Sequence, residues 1–414
     1  MPAFAADVLL AEAAGHLPDA VDLRRRIHRH PELGLELPRT QAAIVDELDG
    51  LDLEVRTGSG VSSVVADLRG TAVRSDDAPV ILLRADMDAL PMPEDTAVEF
   101  KSAVDGAMHA CGHDAHVAML VGAARMLTAR RAELPGTVRF MFQPGEEGFH
   151  GARHMLEEGL LDGPNVDAAF ALHVSPNLPS GSIWTRGGAL MASANVVTIT
   201  VTGKGGHAST PYLANDPMPV AAEIVQALQV MVTRRISTFD PVVITITKIR
   251  AGTTSNVIPE TVNMLGTLRA VSEAGRSLAV EGIKRVASNV AAAHEMTATV
   301  EVEPGYPVTV NDDGFADFAL DVATELLGRK RVGRMPTPVM GAEDFSYVLQ
   351  QRPGALAFVG VCPPGEQPAR AHACHSNRMT IDEDGMQAGI ALHAAVALSY
   401  LDRRASEEGD DRSE

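Results

Sequence analysis

Four stretches of this sequence concentrate side chains able to bind a metal ion or move a proton. They are Arg84-Ala-Asp86-Met-Asp88, His109-Ala-Cys111-Gly-His113-Asp114-Ala-His116, Gln143-Pro-Gly-Glu146-Glu147 and Ala171-Leu-His173-Val. A Cys-x-His pair offers one ion a thiolate and an imidazole, and Gly112 lets the chain turn tightly between them. Cys111 beside a histidine also fits an activated nucleophile, and a buried cysteine next to a helix-capping histidine fits neither chemistry. Adjacent carboxylates at Glu146 and Glu147 diverge, so one can hold metal while the other handles protons; a solvated acidic loop is the plain alternative. Asp86 and Asp88 have apolar neighbours, a poor setting for loop solvation. Asp88 suits the orientation of a liganding histidine, although helix capping accounts for either aspartate.

The remaining polar candidates are individually weaker. His173 reads equally well as a satisfied core histidine, and His375 in His372-Ala-Cys374-His375-Ser-Asn377 is ordinary on its own. Cys374 reads as a small buried residue. Gly203-Lys-Gly-Gly206-His207-Ala-Ser is a glycine-rich turn, but no helix begins directly behind it, which weakens a phosphate-binding reading. Asn256 and Arg269 add an amide and a guanidinium. A guanidinium suits a substrate carboxylate through a bidentate pair, and an isolated arginine serves a structural salt bridge as readily.

These residues follow apolar runs that read as strands: Val61–Leu68, Val80–Ala85, Thr137–Phe142 and Ala168–His173. Helical patterns at Asp22–Arg29, Thr40–Leu48, His116–Arg130 and Ala152–Glu158 alternate with them, which predicts a largely parallel sheet covered on both faces. In open α/β sheets, sites lie beyond the carboxyl ends of the strands, and that is where the ligand-type residues fall. The middle of the chain changes character. Strands at Asn195–Thr202, Val242–Ile249, Thr261–Arg269 and Thr297–Glu303, with helices at Pro217–Arg234 and Ser272–His294, give the order β-α-β-β-α-β of a ferredoxin-like unit. The α/β rhythm then resumes with a helix at Asp313–Leu327, a strand at Ala355–Val361 and a helix at Asp382–Leu401. The fold class is therefore α/β: a discontinuous two-layered domain (1–185 and 304–414) around a mostly parallel sheet, with 186–303 inserted as a ferredoxin-like α+β domain.

Composition narrows the function classes. The 414 residues are 45% hydrophobic, enough for more than one core. With 35 basic against 54 acidic residues the formal charge is −19, and no cationic cluster suits nucleic acid. No apolar run is long enough to span a membrane, and the N-terminus lacks the basic leader of a signal peptide. Three cysteines make no disulfide scaffold, so a cytoplasmic location is expected. The charged stretch from Asp402 to Glu414 reads as a solvated, frayed end.

Taken together, the motifs resemble the M20 metallopeptidase family, most like its aminoacylase and hippurate-hydrolase branch, which includes auxin-conjugate amidohydrolases. The resembling segments are His28–Glu36, Leu82–Met92, Met108–His116, Phe142–Gly148, Ala171–Val174, Gly203–Ser209, Thr254–Glu260, Gly266–Ala270, Met340–Tyr347 and Cys374–Asn377. They occur in family order over nearly the whole chain. The resemblance implies two divalent metal ions per subunit, Zn²⁺ or Mn²⁺. Cys111 would bridge them, His113 and His173 would complete one site, and Glu147 and His375 the other. It also implies Glu146 as general base and acid, Asp88 as the orienting aspartate and a His207 that reaches across a homodimer to the oxyanion. Asn256 and Arg269 would hold the substrate, and the inserted domain would serve as dimerisation and lid domain. Asp86 stands where many relatives place a ligand histidine, and neither it nor His116 receives a role. The implied reaction is hydrolysis of small N-acyl amino acids, with a dipeptidase or an N-acyl-diaminopimelate-type deacetylase as the alternative.

Overall fold

The computed structural model describes residues 4–72 and 78–411, with side chains to 407. The chain forms two compact units: Met1–Gly188 with Val310–Pro336 and Tyr347–Glu414, and Ala189–Thr309 with Thr337–Ser346. Among the described residues no helix is long and apolar enough to cross a membrane.

The first unit is built on an eight-stranded sheet. Its order is Glu54–Thr57, Val64–Arg69, Thr137–Gln143, Val80–Asp86, Ala168–Ser175, Gly354–Gly360, Ile183–Thr185 and Val332–Arg334. Four neighbouring strands, from Thr137–Gln143 to Gly354–Gly360, run parallel; antiparallel pairings extend the sheet on both sides. The parallel strands are buried at almost every position, as strands covered on both faces must be. Helix His113–Ala129 is buried on nearly all sides and packs against helices Ala6–Arg29 and Met386–Asp411.

Some boundaries differ from the sequence expectation. The first helix begins at Ala6 and carries Pro18 inside it, a residue that interrupts the helical signal. The last helix starts at Met386 because Asp382 caps a separate short turn by accepting from the Asp384 N–H. It then continues through Asp411, where a frayed end was expected, with Arg403 and Arg404 both pairing Glu407; residues 412–414 lie outside the described residues.

The second unit has the β-α-β-β-α-β order read from the sequence. Its antiparallel sheet runs Val242–Arg250, Thr261–Ala270, Ser193–Thr202, Thr297–Pro304. Helices Pro217–Arg235 and Glu273–Ala293 bury Ile224, Leu228 and Ile283 against Val197, Ile199 and Val201. Both helices start at a capping side chain: Asp216 accepts from Met218 N–H, and Ser272 from Gly275 N–H. The strap 337–346 belongs to this unit, whereas the sequence reading left everything after 303 with the first. Its tie is backbone pairing: Ala192 N–H donates to the Val339 and Gly341 carbonyls, an interaction with no hydrophobic period to announce it.

Candidate metal centre

The carboxyl ends of the four parallel strands each deliver part of one constellation. Asp86 ends the first and Asp88 follows it, Glu146 and Glu147 follow the second, His173 lies in the third, and the loop after Gly354–Gly360 leads to Cys374 and His375. Cys111 and His113 enter at the N-terminus of helix His113–Ala129. The donor atoms of Cys111, His113 and His173 lie within 4.8 Å of one another, and so do those of Cys111, Glu147 and His375. Cys111 is thus common to two triads. Its Sγ is 3.4 Å from His173 Nε2, and His375 Nε2 is 3.1 Å from Glu147 Oε1. Glu146 is grouped equally closely with His113 and Glu147.

Local backbone chemistry places these groups. Gly112 sits at φ 84°, a left-handed conformation, and a Cβ there would come within 2.3 Å of Val174 Cγ2. Only glycine lets the Cys111 turn approach the His173 strand so closely. His375 also occupies the left-handed region, at φ 69°, an uncommon setting for a side chain and one frequent at functional sites. Its N–H donates to the Ala110 carbonyl at 2.6 Å, tying the two loops together. Asp88 accepts the backbone N–H groups of both Glu146 and Glu147 at 2.9 Å, one on each carboxylate oxygen. It therefore fixes the glutamate turn, and it also stands 3.5 Å from His113 Nδ1.

A polar chain that sequence reasoning left unassigned lies behind the ligands. Arg84 donates to Asp86 at 2.8 Å and to Gln143 at 2.9 Å. Asp86 meets His116 Nδ1 at 2.5 Å, and His116 Nε2 accepts the Val174 N–H at 2.8 Å. Because a backbone N–H can only donate, the proton of His116 resides on Nδ1, facing Asp86. Burial keeps this imidazole neutral, lowering its pKa to about 4. Cys374 is more than filler, since its Sγ faces the carbonyls of Cys111 and Val174.

The electrostatics fit resident cations. Cys374 alongside, burial, and the carboxylates of Glu147 and Glu146 push the Cys111 thiol well above its ordinary value. Burial disfavours a charged His113, yet Asp86, Asp88 and Glu147 outweigh it and raise the imidazole to about 10. Burial would likewise raise Glu147, but His375 and His113 hold it low. Among the described residues neither ring nitrogen of the buried His113 makes an aligned hydrogen bond, although Asp86 comes to 3.4 Å. A thiol, imidazoles and carboxylates converging on buried space that favours positive charge suit a divalent metal.

The other expected residues lie in the second unit. His207 and Asn256 are brought together by a two-stranded ribbon in which Val257 pairs with His207, and Ala208 N–H donates to the Asn256 carbonyl. Ser209 N–H donates to His207 Nδ1 at 3.1 Å, so the ring proton is on the exposed Nε2, ready to donate outward. Arg269 is half-buried on strand Thr261–Ala270, and its guanidinium lies 3.5 Å from the Met340 carbonyl.

Comparison with known proteins places this architecture. Residues 82–399 match the sequence profile described as Peptidase family M20/M25/M40. The chain belongs to this family. Among M20 relatives, it is 39% identical to an IAA-amino acid hydrolase of Arabidopsis thaliana, over 93% of this chain and 86% of the relative. It is 38% identical to an N-acetylcysteine deacetylase of Bacillus subtilis, over 92% of this chain and 97% of that one. A solved structure from Bacillus subtilis, described as a dinuclear metal-binding peptidase of the M20 family, superimposes with a TM-score of 0.81. That structure is 34% identical, covering 94% of this chain and 99% of the other.

Proposed function

We infer that this M20 protein is a metal-dependent amidohydrolase that splits N-acyl amino acids into a carboxylic acid and a free amino acid. The observation that carries the reading is the sharing of Cys111 by two ligand triads with Glu146 at their edge. One triad is Cys111, His113 and His173; the other is Cys111, Glu147 and His375. Divalent ions held there supply Lewis-acid polarisation of the amide carbonyl and a more acidic water. Glu146 takes the water proton and returns it to the leaving nitrogen, which must depart as an amine because an amide anion is a very poor leaving group. Asp88, through the two N–H groups it holds, keeps that carboxylate aimed. His207 donates to the oxyanion, while Asn256 and Arg269 hold the substrate near that oxygen and at its free carboxylate.

Relatives named for hydrolysis of IAA-amino acids and deacetylation of N-acetylcysteine agree with an acyl amino acid as substrate. Thiolate and imidazole favour Zn²⁺, and the carboxylates admit Mn²⁺. A homodimer through the second unit agrees with the exposed Tyr212, Leu213 and Phe239 there. A cytoplasmic setting agrees with three free cysteines. The deciding experiment reconstitutes the metal-free protein with Zn²⁺ or Mn²⁺ and offers N-acetyl, N-benzoyl and dipeptide substrates. Turnover of the acyl amino acids above the dipeptides is expected; turnover of dipeptides alone would reverse the assignment.

A further inference from the structure

The group Asp86, His113 and His116 also has donor atoms within 4.8 Å of one another, which raises the question of a third ion. The hydrogen bonds answer against it. His116 Nε2 is occupied by the Val174 N–H, its Nδ1 proton lies on one oxygen of Asp86, and Arg84 donates to the other. His116 therefore has no free lone pair for an ion, and each Asp86 oxygen already accepts a hydrogen bond.

We propose instead that Asp86 and His116 are positioning residues, a buried brace that aims the His173 imidazole at an ion it would share with Cys111 and His113. The brace reaches His173 through one residue, Val174. His116 holds the Val174 N–H, and the carbonyl of that same residue accepts from His173 Nδ1 at 2.7 Å. That bond puts the His173 proton on Nδ1 and leaves Nε2, the nitrogen 3.4 Å from Cys111 Sγ, as the ligand atom. Beside His113 the brace acts only as a neighbouring charge, since Asp86 Oδ2 stands 3.4 Å from His113 Nε2 without an aligned hydrogen bond. Arg84 anchors the far end, and Arg84, Asp86 and His116 are essentially fully buried. A brace of this kind fixes tautomer and ring orientation together, so its loss is felt in metal affinity.

The inference rests on the proposed two-metal centre, and the test separates the two. Metal-free full-length protein is titrated with Zn²⁺ and the affinity and stoichiometry of each site are read by calorimetry. Wild type should take two ions; three would overturn the brace, and none would overturn the metal centre itself. His116→Phe keeps a ring but removes both bonds, and should weaken one site by about ten- to a hundredfold while the other stays within about threefold. Repeating it in a His375→Ala background, where only the Cys111–His113–His173 site remains complete, identifies the weakened site. Asp86→Asn acts on the same chain and provides the test if the phenylalanine variant fails to fold. The double variant should be no weaker than the worse single, because both remove one structure. A folded His116→Phe or Asp86→Asn that binds two ions as tightly as wild type, or losses that multiply in the double variant, would overturn the proposal.

Discussion

Cys111 carries the heaviest demand of any single residue, because both triads depend on its sulfur. If it is a ligand, Cys111→Asp retains part of the metal, since a carboxylate also bridges, whereas Cys111→Ala loses it. An acyl group trapped on Cys111 during a substrate burst, detected by mass spectrometry, would sink the ligand assignment. The adjacent glutamates separate in the same way. Glu146→Gln should keep nearly native metal content and lose roughly a hundredfold to ten-thousandfold in turnover, while Glu147→Gln should lose metal. Elemental analysis showing loss in the Glu146 variant alone would exchange their roles. At this scale the sequence was legible where ligand chemistry is written in residue type, as in Cys-x-His and Glu-Glu. It was silent where the decisive partner is backbone: Asp88 holding two N–H groups, and His116 holding the Val174 N–H, leave no mark in spacing.

At the scale of elements, the helix bearing His113 is docked by charge as well as by apolar packing. Its Asp114 accepts from His28 Nδ1 at 2.8 Å and pairs with Arg24 at 3.1 Å, both on helix Ala6–Arg29, while His28 Nε2 faces Glu94 at 3.3 Å. Burial opposes a charged His28, but Asp114 and Glu94 prevail and raise it to about 9 from its ordinary 6.5. A raised value stabilises the fold below the unfolded pKa, and the stabilisation fades as pH climbs through the folded one. His28→Gln should therefore cost roughly 3 kcal/mol near pH 6.5, and the gap to wild type should shrink as pH rises from there and be nearly closed by about 9. Denaturant melts across that range measure it; a gap independent of pH would mean His28 is held neutral. The long strands and helices were readable because their apolar period persists. The short strands Glu54–Thr57, Ile183–Thr185 and Val332–Arg334 were not, since three or four residues cannot establish a period and their pairing is decided by the neighbouring chain.

At the scale of the whole molecule, the ferredoxin-like order of the second unit was visible from alternation alone, whereas the strap 337–346 was not, because it joins through backbone pairing far along the chain. That unit carries His207 with its Nε2 proton exposed, far in sequence from the ligands of the first unit. The proposal that His207 serves the centre of a partner subunit makes the active protein an obligate dimer, and subunit mixing distinguishes this from a histidine acting in its own chain. Two inactive variants, His207→Ala and Glu146→Gln, are unfolded and refolded together. If His207 acts across the dimer, a mixed dimer has one complete site, with Glu146 from one chain and His207 from the other. Random pairing makes about half the dimers mixed, each with one working site of two, so about a quarter of wild-type activity should return. If His207 acts within its own chain, every site still lacks one group and the mixture stays inactive. Inactivity in a preparation where differently tagged subunits co-purify would therefore exclude the shared site, while the quarter recovery requires it.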